Sequence, residues 1–311
     1  SQIYIIFRRT QIIMNNKILL TILTSTYNRA KLLNNLYESL RQQTCYNFEW
    51  LIIDDGSEDD TKKYIASLPQ DAFSIRYYYK ENGGKCQAIN YAHDKINGQY
   101  VFFVDSDDVL TADAVEVILK DWQRYAKEPN IAILSYKKRG QDGRLISGET
   151  CGVDYYIDDD IHYIVNRGVS GDRAETLRTD ILRQYRFPEF LNEKFMSEGW
   201  LWNNIAKKYK TVYRMYTVYI CEYLAGGLTK SGRVLRMKSP QGMMENCKSF
   251  FQKDTCIKIQ LKEMLLYCVY ALCSPNKLLD DIKNSGRPWK IAVIMPLGFG
   301  LYLYWKNKYL R

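Results

Sequence analysis

Three carboxylates, Asp105, Asp107 and Asp108, follow directly on the run Tyr100-Val101-Phe102-Phe103-Val104. Every position of that run is β-branched or aromatic, which suits a strand covered on both faces. Acidic side chains crowded at the end of such a strand repel one another unless a cation lies among them. Magnesium or manganese held by few carboxylates would also keep coordination sites open for phosphate oxygens. Asp105, Asp107 and Asp108 are therefore the candidate metal ligands. The same letters also allow a solvated acidic turn that caps the helix starting near Thr111.

Three earlier apolar strands end in polar loops of the same kind. Residues 19–25 read as a strand running into Thr26-Tyr27-Asn28-Arg29, and 48–53 stop at Asp54-Asp55-Gly56-Ser57. The stretch from Ile75 to Tyr79 leads to Asn82-Gly83-Gly84, with Lys85 opening the helix beyond. Helices separate these strands. Leu32, Leu33, Leu36, Tyr37 and Leu40 recur at helical spacing, and further helices are expected over about 61–68, 85–96 and 111–126. Apolar strands that alternate with helices imply an α/β fold, a mainly parallel sheet with helices on both faces. Ligands of such sheets lie beyond the carboxyl ends of the strands, so four polar loops should line one edge. After the strand at 131–135, residues 137–160 read as a hairpin or an excursion over that edge. Ala174 to Gln184 reads as a helix, and another opens at Ser197. A strand follows from Thr211 to Tyr219, then a loop over 225–230 and a basic helical region past Ser231.

With 311 residues and 46% hydrophobic content the chain can fill a large core. Its 44 Lys and Arg against 35 Asp and Glu give +9, which favours anionic partners such as nucleotides, lipid diphosphates or acidic membrane surfaces. Eight cysteines without a Cys-x-x-Cys pair, and only two histidines, argue against a zinc site and fit reduced thiols in a cytoplasmic protein. Residues 1–13 place apolar residues before Arg8-Arg9, the reverse of a secretory signal, and are expected to be an extension ahead of the fold.

Four motifs in this order, Ser25-Thr26-Tyr27-Asn28-Arg29, Ile53-Asp54-Asp55-Gly56-Ser57, Asn82-Gly83-Gly84-Lys85 and Val104-Asp105-Ser106-Asp107-Asp108, resemble those of the family two glycosyltransferases of GT-A (Rossmann-like) fold. The resemblance spans roughly Lys17 to Thr229. It implies inverting transfer of a sugar from a nucleoside-diphosphate donor, with UDP the favoured nucleotide, to a hydroxyl of a glycan or polyprenyl-linked acceptor in bacterial surface polysaccharide synthesis. It also implies roles for the loops. Asp55 would accept from the uracil N3–H beside Tyr27, with Ser25, Thr26, Asn28, Arg29 and Asp54 around the base. Asn82, Gly83, Gly84 and Lys85 would meet the diphosphate, Asp105 and Ser106 the ribose, and Asp107 or Asp108 a manganese or magnesium ion. Inversion needs a base to take the acceptor's proton. The family supplies it from a Glu-Asp pair opening a helix. Here Ser197-Glu198-Gly199-Trp200 lacks the Asp, so Glu198 is the candidate base and Asp172 the reserve. The expected domains are an extension over 1–16, a catalytic domain over 17–235, with halves 17–137 and 138–235, and a helical region over 236–311.

Residues 291–305 are apolar but shorter than the about 20 residues that a spanning helix needs, and Lys290, Lys306 and Lys308 flank them. They fit a segment lying on an anionic membrane surface, peripheral on the inner face of the cell membrane. Packing on the catalytic domain or in a homodimer is the alternative. Nucleic-acid binding would leave the clustered carboxylates unexplained, so no nucleic-acid partner is expected. A nucleotidyltransferase would carry a Gly-rich basic first loop in place of Thr26-Tyr27-Asn28-Arg29. An inactive sugar-nucleotide-binding module is the alternative raised by Gly199.

Overall fold

The computed structural model describes residues 19–69, 72–148, 152–221 and 228–309. The expected extension over 1–16 and the first part of the expected loop at 225–230 lie outside them, and from Leu228 the chain is helical. Strands β1 (Leu20–Thr26), β2 (Phe48–Asp54), β3 (Ser74–Tyr79) and β4 (Tyr100–Phe103) form a parallel block in the order β3-β2-β1-β4. Between them run α1 (Ala30–Arg41), α2 (Thr61–Ala66) and α3 (Lys85–Ala92), and α4 (Ala114–Arg124) follows the short strand β5 (Val109–Leu110).

The continuous apolar strands are explained by burial on both faces. Ile22, Trp50 and Phe102 pack with Leu33, Leu36 and Leu40 of α1 and with Trp122 of α4. Their odd-numbered neighbours Leu23, Leu51 and Val101 pack on the other face with Ile89 and Ala92 of α3. A period of two along each strand thus splits one apolar run between two cores.

Beyond β4 the sheet becomes mixed. β8 (Arg173–Arg178) runs antiparallel to β4 and to β6 (Ile131–Gly140). β6 pairs in parallel with the long β9 (Lys210–Cys221), which also carries β5 and β7 (Tyr155–Asp158). The helix expected from Ala174 is therefore a strand, and only Thr179–Leu182 (α5) is helical there. Ala174, Thr176 and Leu177 are fully buried between neighbouring strands, so sheet pairing overrides the helix-forming letters Ala174, Glu175 and Leu177.

Next come α6 (Gly199–Ile205) and five C-terminal helices: α7 (Leu228–Met237), α8 (Pro240–Ser249), α9 (Ile257–Ala271), α10 (Leu278–Lys283) and α11 (Pro288–Tyr309). Helices α8 to α11 share a core around Met243, Met264, Cys268 and Ile291, and Met237 of α7 packs in a smaller one with Val269 and Trp305. Polar contacts fasten these helices to the sheet-bearing part. The Glu193 carboxylate accepts from the Gln241 and Gly242 amides at 2.9 and 2.8 Å, capping α8, and Asn203 Nδ2 donates to Ser249 Oγ at 2.9 Å.

Candidate active site

Along the edge made by the carboxyl ends of β1, β2, β3 and β4, hydrogen bonds lock the loops to one another. Asn28, at φ 52°, receives Glu58 N on its Oδ1 at 2.8 Å and donates its own amide to Ser57 Oγ at 2.8 Å. Thr26 ends β1 buried, and its Oγ1 has no hydrogen-bond partner among the described residues. Tyr27 stands about half exposed beside it, and Ser25 is half-buried.

Asp54 and Asp55 are both tied into the scaffold by hydrogen bonds. Asp54 is fully buried and accepts from Ser57 N and Tyr77 Oη, both at 2.7 Å. Asp55 Oδ1 accepts from Lys80 Nζ at 2.7 Å and Gly83 N at 2.9 Å, while Oδ2 accepts from Gly84 N at 2.6 Å and Asn82 Nδ2 at 3.2 Å. An ionised carboxylate offers about four acceptor positions. The four donors come from residues 80–84, so the Asp55 carboxylate braces that loop.

That loop delivers Lys85 to the first turn of α3. The Lys85 ammonium bridges Asp105 Oδ1 at 2.5 Å and Glu198 Oε1 at 2.7 Å. Burial works against its charge, but the two carboxylates hold its pKa well above the usual lysine value. For Asp105 burial acts upward, yet Lys85, Lys138 and Arg29 outweigh it and hold the carboxyl at about 2. Tyr219 Oη accepts from the Asp105 amide at 2.8 Å. Arg29 Nη1 pairs with Asp107 Oδ1 at 2.8 Å and reaches Ser106 Oγ at 3.3 Å, and Asp108 is buried. The expected acidic cluster is thus spread between two cations, Lys85 and Arg29. Asp107 and Asp108 still offer the hard oxygen donors that magnesium or manganese takes. Among the described residues three side chains converge as a metal-ligand set only at Asp158, Asp159 and His162, where Lys210 already pairs with Asp159 at 2.7 Å.

Glu198 occupies the N-cap of α6, and the 187–196 segment places it there by gripping α3. Asn90 Nδ2 donates to Phe187 O at 2.8 Å, and Cys86 Sγ lies 3.3 Å from Met196 O. Trp200 and Trp202 lean on Phe187 and Phe103, which puts them in the core packing. The reserve candidate Asp172 is exposed, and its carbonyl accepts from Ser147 Oγ at 2.5 Å.

Two residues absent from the sequence reading lie beside these groups. Lys138 of β6 lies 4.3 Å over the Tyr219 ring and within electrostatic reach of Asp105, Glu175 and Asp172. Glu175 of β8 accepts from Ser135 Oγ at 3.3 Å. Burial above all, then Asp160 and Glu198, raise its pKa to about 8 against the opposing Lys138 and Arg173. Reading residues 174–184 as a helix hid this carboxylate, since strand alternation is what turns it to the site face. The folded protein holds a proton on Glu175 that the unfolded chain releases above its ordinary 4.5, so this group's stabilising contribution falls as pH rises from 4.5 to 8. In Tm measurements across that range, Glu175→Gln is expected to gain on wild type as pH rises. A constant difference between the two proteins would refute it.

The family model described as Glycosyl transferase family 2 matches residues 21–174. An uncharacterized glycosyltransferase of Rickettsia felis is 34% identical over 144 residues, 46% of this chain and 23% of that protein, so the chain spans about a quarter of its length. GalNAc(5)-diNAcBac-PP-undecaprenol beta-1,3-glucosyltransferase of Campylobacter jejuni is 26% identical over 260 residues, covering 75% of this chain and 80% of that one. The crystal structure of S. aureus TarS 1-349 in complex with UDP-GlcNAc shares the fold at TM-score 0.59 and 16% identity, over 93% of this chain and 92% of that one. With its four motif loops in order along one sheet edge, the chain belongs to glycosyl transferase family 2, on a GT-A fold.

Proposed function

We propose that this protein is an inverting glycosyltransferase that moves a sugar from a UDP-sugar to a hydroxyl of a glycan or lipid-linked acceptor, on the cytoplasmic side of a bacterial membrane, in surface polysaccharide synthesis. The observation that carries the reading is the Lys85 bridge. One ammonium ties the loop expected at the diphosphate to Asp105 of the acidic motif and to Glu198, the candidate base. A donor diphosphate arriving at Lys85 and at the N-terminus of α3 offers that cation a stronger anionic partner, which leaves the Glu198 carboxylate free to take the acceptor's proton.

The nucleoside end falls to Tyr27 and to Thr26 Oγ1, the buried hydroxyl without a partner. Asp55 acts by holding Gly83 and Gly84 in place. Asp107 and Asp108 would hold the manganese or magnesium ion. When bound, it neutralises charge growing on the departing diphosphate, so the leaving group needs no proton. The polyprenyl-linked substrate named for the Campylobacter relative supports an acceptor carried on lipid.

Thermal-shift titration with UDP-, GDP- and dTDP-sugars, followed by an assay for UDP release, tests the reading. A ligand that binds the native state raises its apparent stability. A UDP-sugar should stabilise the protein and release UDP with manganese present. Stabilisation without release points to a binding module, and indifference to all three donors defeats the proposal. In the same titrations Asp107→Asn and Asp108→Asn should weaken manganese-dependent UDP binding by about tenfold or more while keeping the fold. Unchanged manganese dependence in both variants would remove these two residues as ligands.

A further inference from the structure

Helix α11 is apolar on two faces, and the described residues pack against only one of them. Ile291 and Trp305 are buried inward, and Gly298 lies so close to α9 that a Cβ there would sit 2.3 Å from Cys268 Cβ. On the outer face Trp289 is 85% exposed, Val293 77%, Leu297 72% and Tyr304 57%, with Phe299 and Leu303 beside them at 49% and 44%. This strip runs about 22 Å along the helix at 1.5 Å per residue. Contiguous apolar surface of that kind on a folded protein marks a docking site.

The charge distribution identifies the occupant. Residues 236–311 hold thirteen Lys and Arg against five Asp and Glu, a net +8 out of the chain's +9. Lys290, Lys306 and Lys308 stand exposed at the two ends of the apolar strip. Two copies meeting through this face would bring two such regions together, and like charges brought together oppose docking. A surface of anionic headgroups over acyl chains meets both requirements, apolar contact in the middle and anions around the rim. Trp289 and Tyr304 near the strip's ends are the ring types that settle at headgroup level. No helix among the described residues is long and apolar enough to cross a membrane.

We propose that the outer face of α11 seats the protein on an anionic lipid bilayer, with the helix in the plane of the surface, Val293, Leu297 and Phe299 entering the acyl boundary and Lys290, Lys306 and Lys308 among the headgroups. The inference goes beyond the catalytic reading and does not depend on it, because it stands on the C-terminal helices alone.

The test uses the full chain and sedimentation with vesicles of phosphatidylcholine, with and without phosphatidylglycerol. Wild type should sediment with the phosphatidylglycerol vesicles at low salt and be released by added salt. The double variant Val293→Asp/Leu297→Asp alters two side chains that are already in water, so its Tm should match wild type while vesicle binding drops at least about tenfold. Lys290→Ala/Lys306→Ala/Lys308→Ala should lose the preference for phosphatidylglycerol. The proposal is overturned if wild type stays in the supernatant with phosphatidylglycerol vesicles, or if the Asp double variant binds them as wild type does. It is equally overturned if light scattering shows a wild-type dimer that the double variant splits and neither form binds vesicles.

Discussion

Glu198→Gln is expected to lower turnover by roughly 10²–10⁴ while leaving affinity for the nucleotide sugar nearly unchanged. Glutamine keeps the size and the hydrogen-bonding oxygen of Glu198, so it can still face Lys85, but it cannot take a proton. Position supports the assignment. Glu198 is anchored at the start of α6 and lies 2.7 Å from the Lys85 ammonium, which also holds Asp105. Gly199 opens α6, and a Cβ there would meet Ser197 Oγ at 3.3 Å and Asn246 Oδ1 at 3.7 Å. Two other carboxylates are near enough to compete. Asp172 is exposed and Glu175 sits on β8, both within electrostatic reach of Lys138. Comparing kcat in Glu198→Gln, Asp172→Asn and Glu175→Gln separates them. Full turnover in Glu198→Gln with loss in one of the others transfers the role to that residue.

The largest effect on stability is expected from Gly84→Ala, about 3 kcal/mol or more, summing a strained backbone and a forced displacement. Gly84 has φ 92° and ψ 163°, a region nearly closed to residues with a side chain, and a Cβ there would lie 1.7 Å from the Lys194 carbonyl oxygen. Relief would require moving the backbone that leads to Glu198. It would also pull the Gly84 amide off Asp55 and release the brace on the whole loop. The adjacent Gly83 is the control. A Cβ at Gly83 meets the ends of the Gln87 and Lys80 side chains, which can swing aside, so Gly83→Ala should cost no more than about 1 kcal/mol. Urea denaturation of both variants checks the contrast. Equal costs would mean that the approach of residue 194 to the loop does not constrain it.

Much of the site was legible without coordinates because its rules are local. A strand buried on both faces must be apolar at every position, and where it leaves the sheet its polar ending shows, as at Asp54-Asp55 and Asp105-Ser106-Asp107-Asp108. Those local signals placed four loops on one edge and Lys85 at the start of α3. Glu175 and Lys138 escaped because they depend on pairing between distant segments. Nothing near residue 175 announces that β8 must fill the space between β4 and β6, and only that pairing turns Glu175 to the site face. The letters around Asp55 likewise cannot reveal that four donors from residues 80–84 surround its carboxylate.

By itself the sequence determined the α/β order of the first half of the fold, the four loops, and the concentration of positive charge after residue 235, since each follows from neighbours along the chain or from counting. Tertiary structure alone decided which carboxylates meet which cations and which side of α11 faces out. The reason is physical. A helix apolar nearly all the way round has no polar stripe to mark its outer face, so the choice falls to the contact that fits best. Here that contact is Gly298 against Cys268, which turns Val293 and Leu297 to the outside.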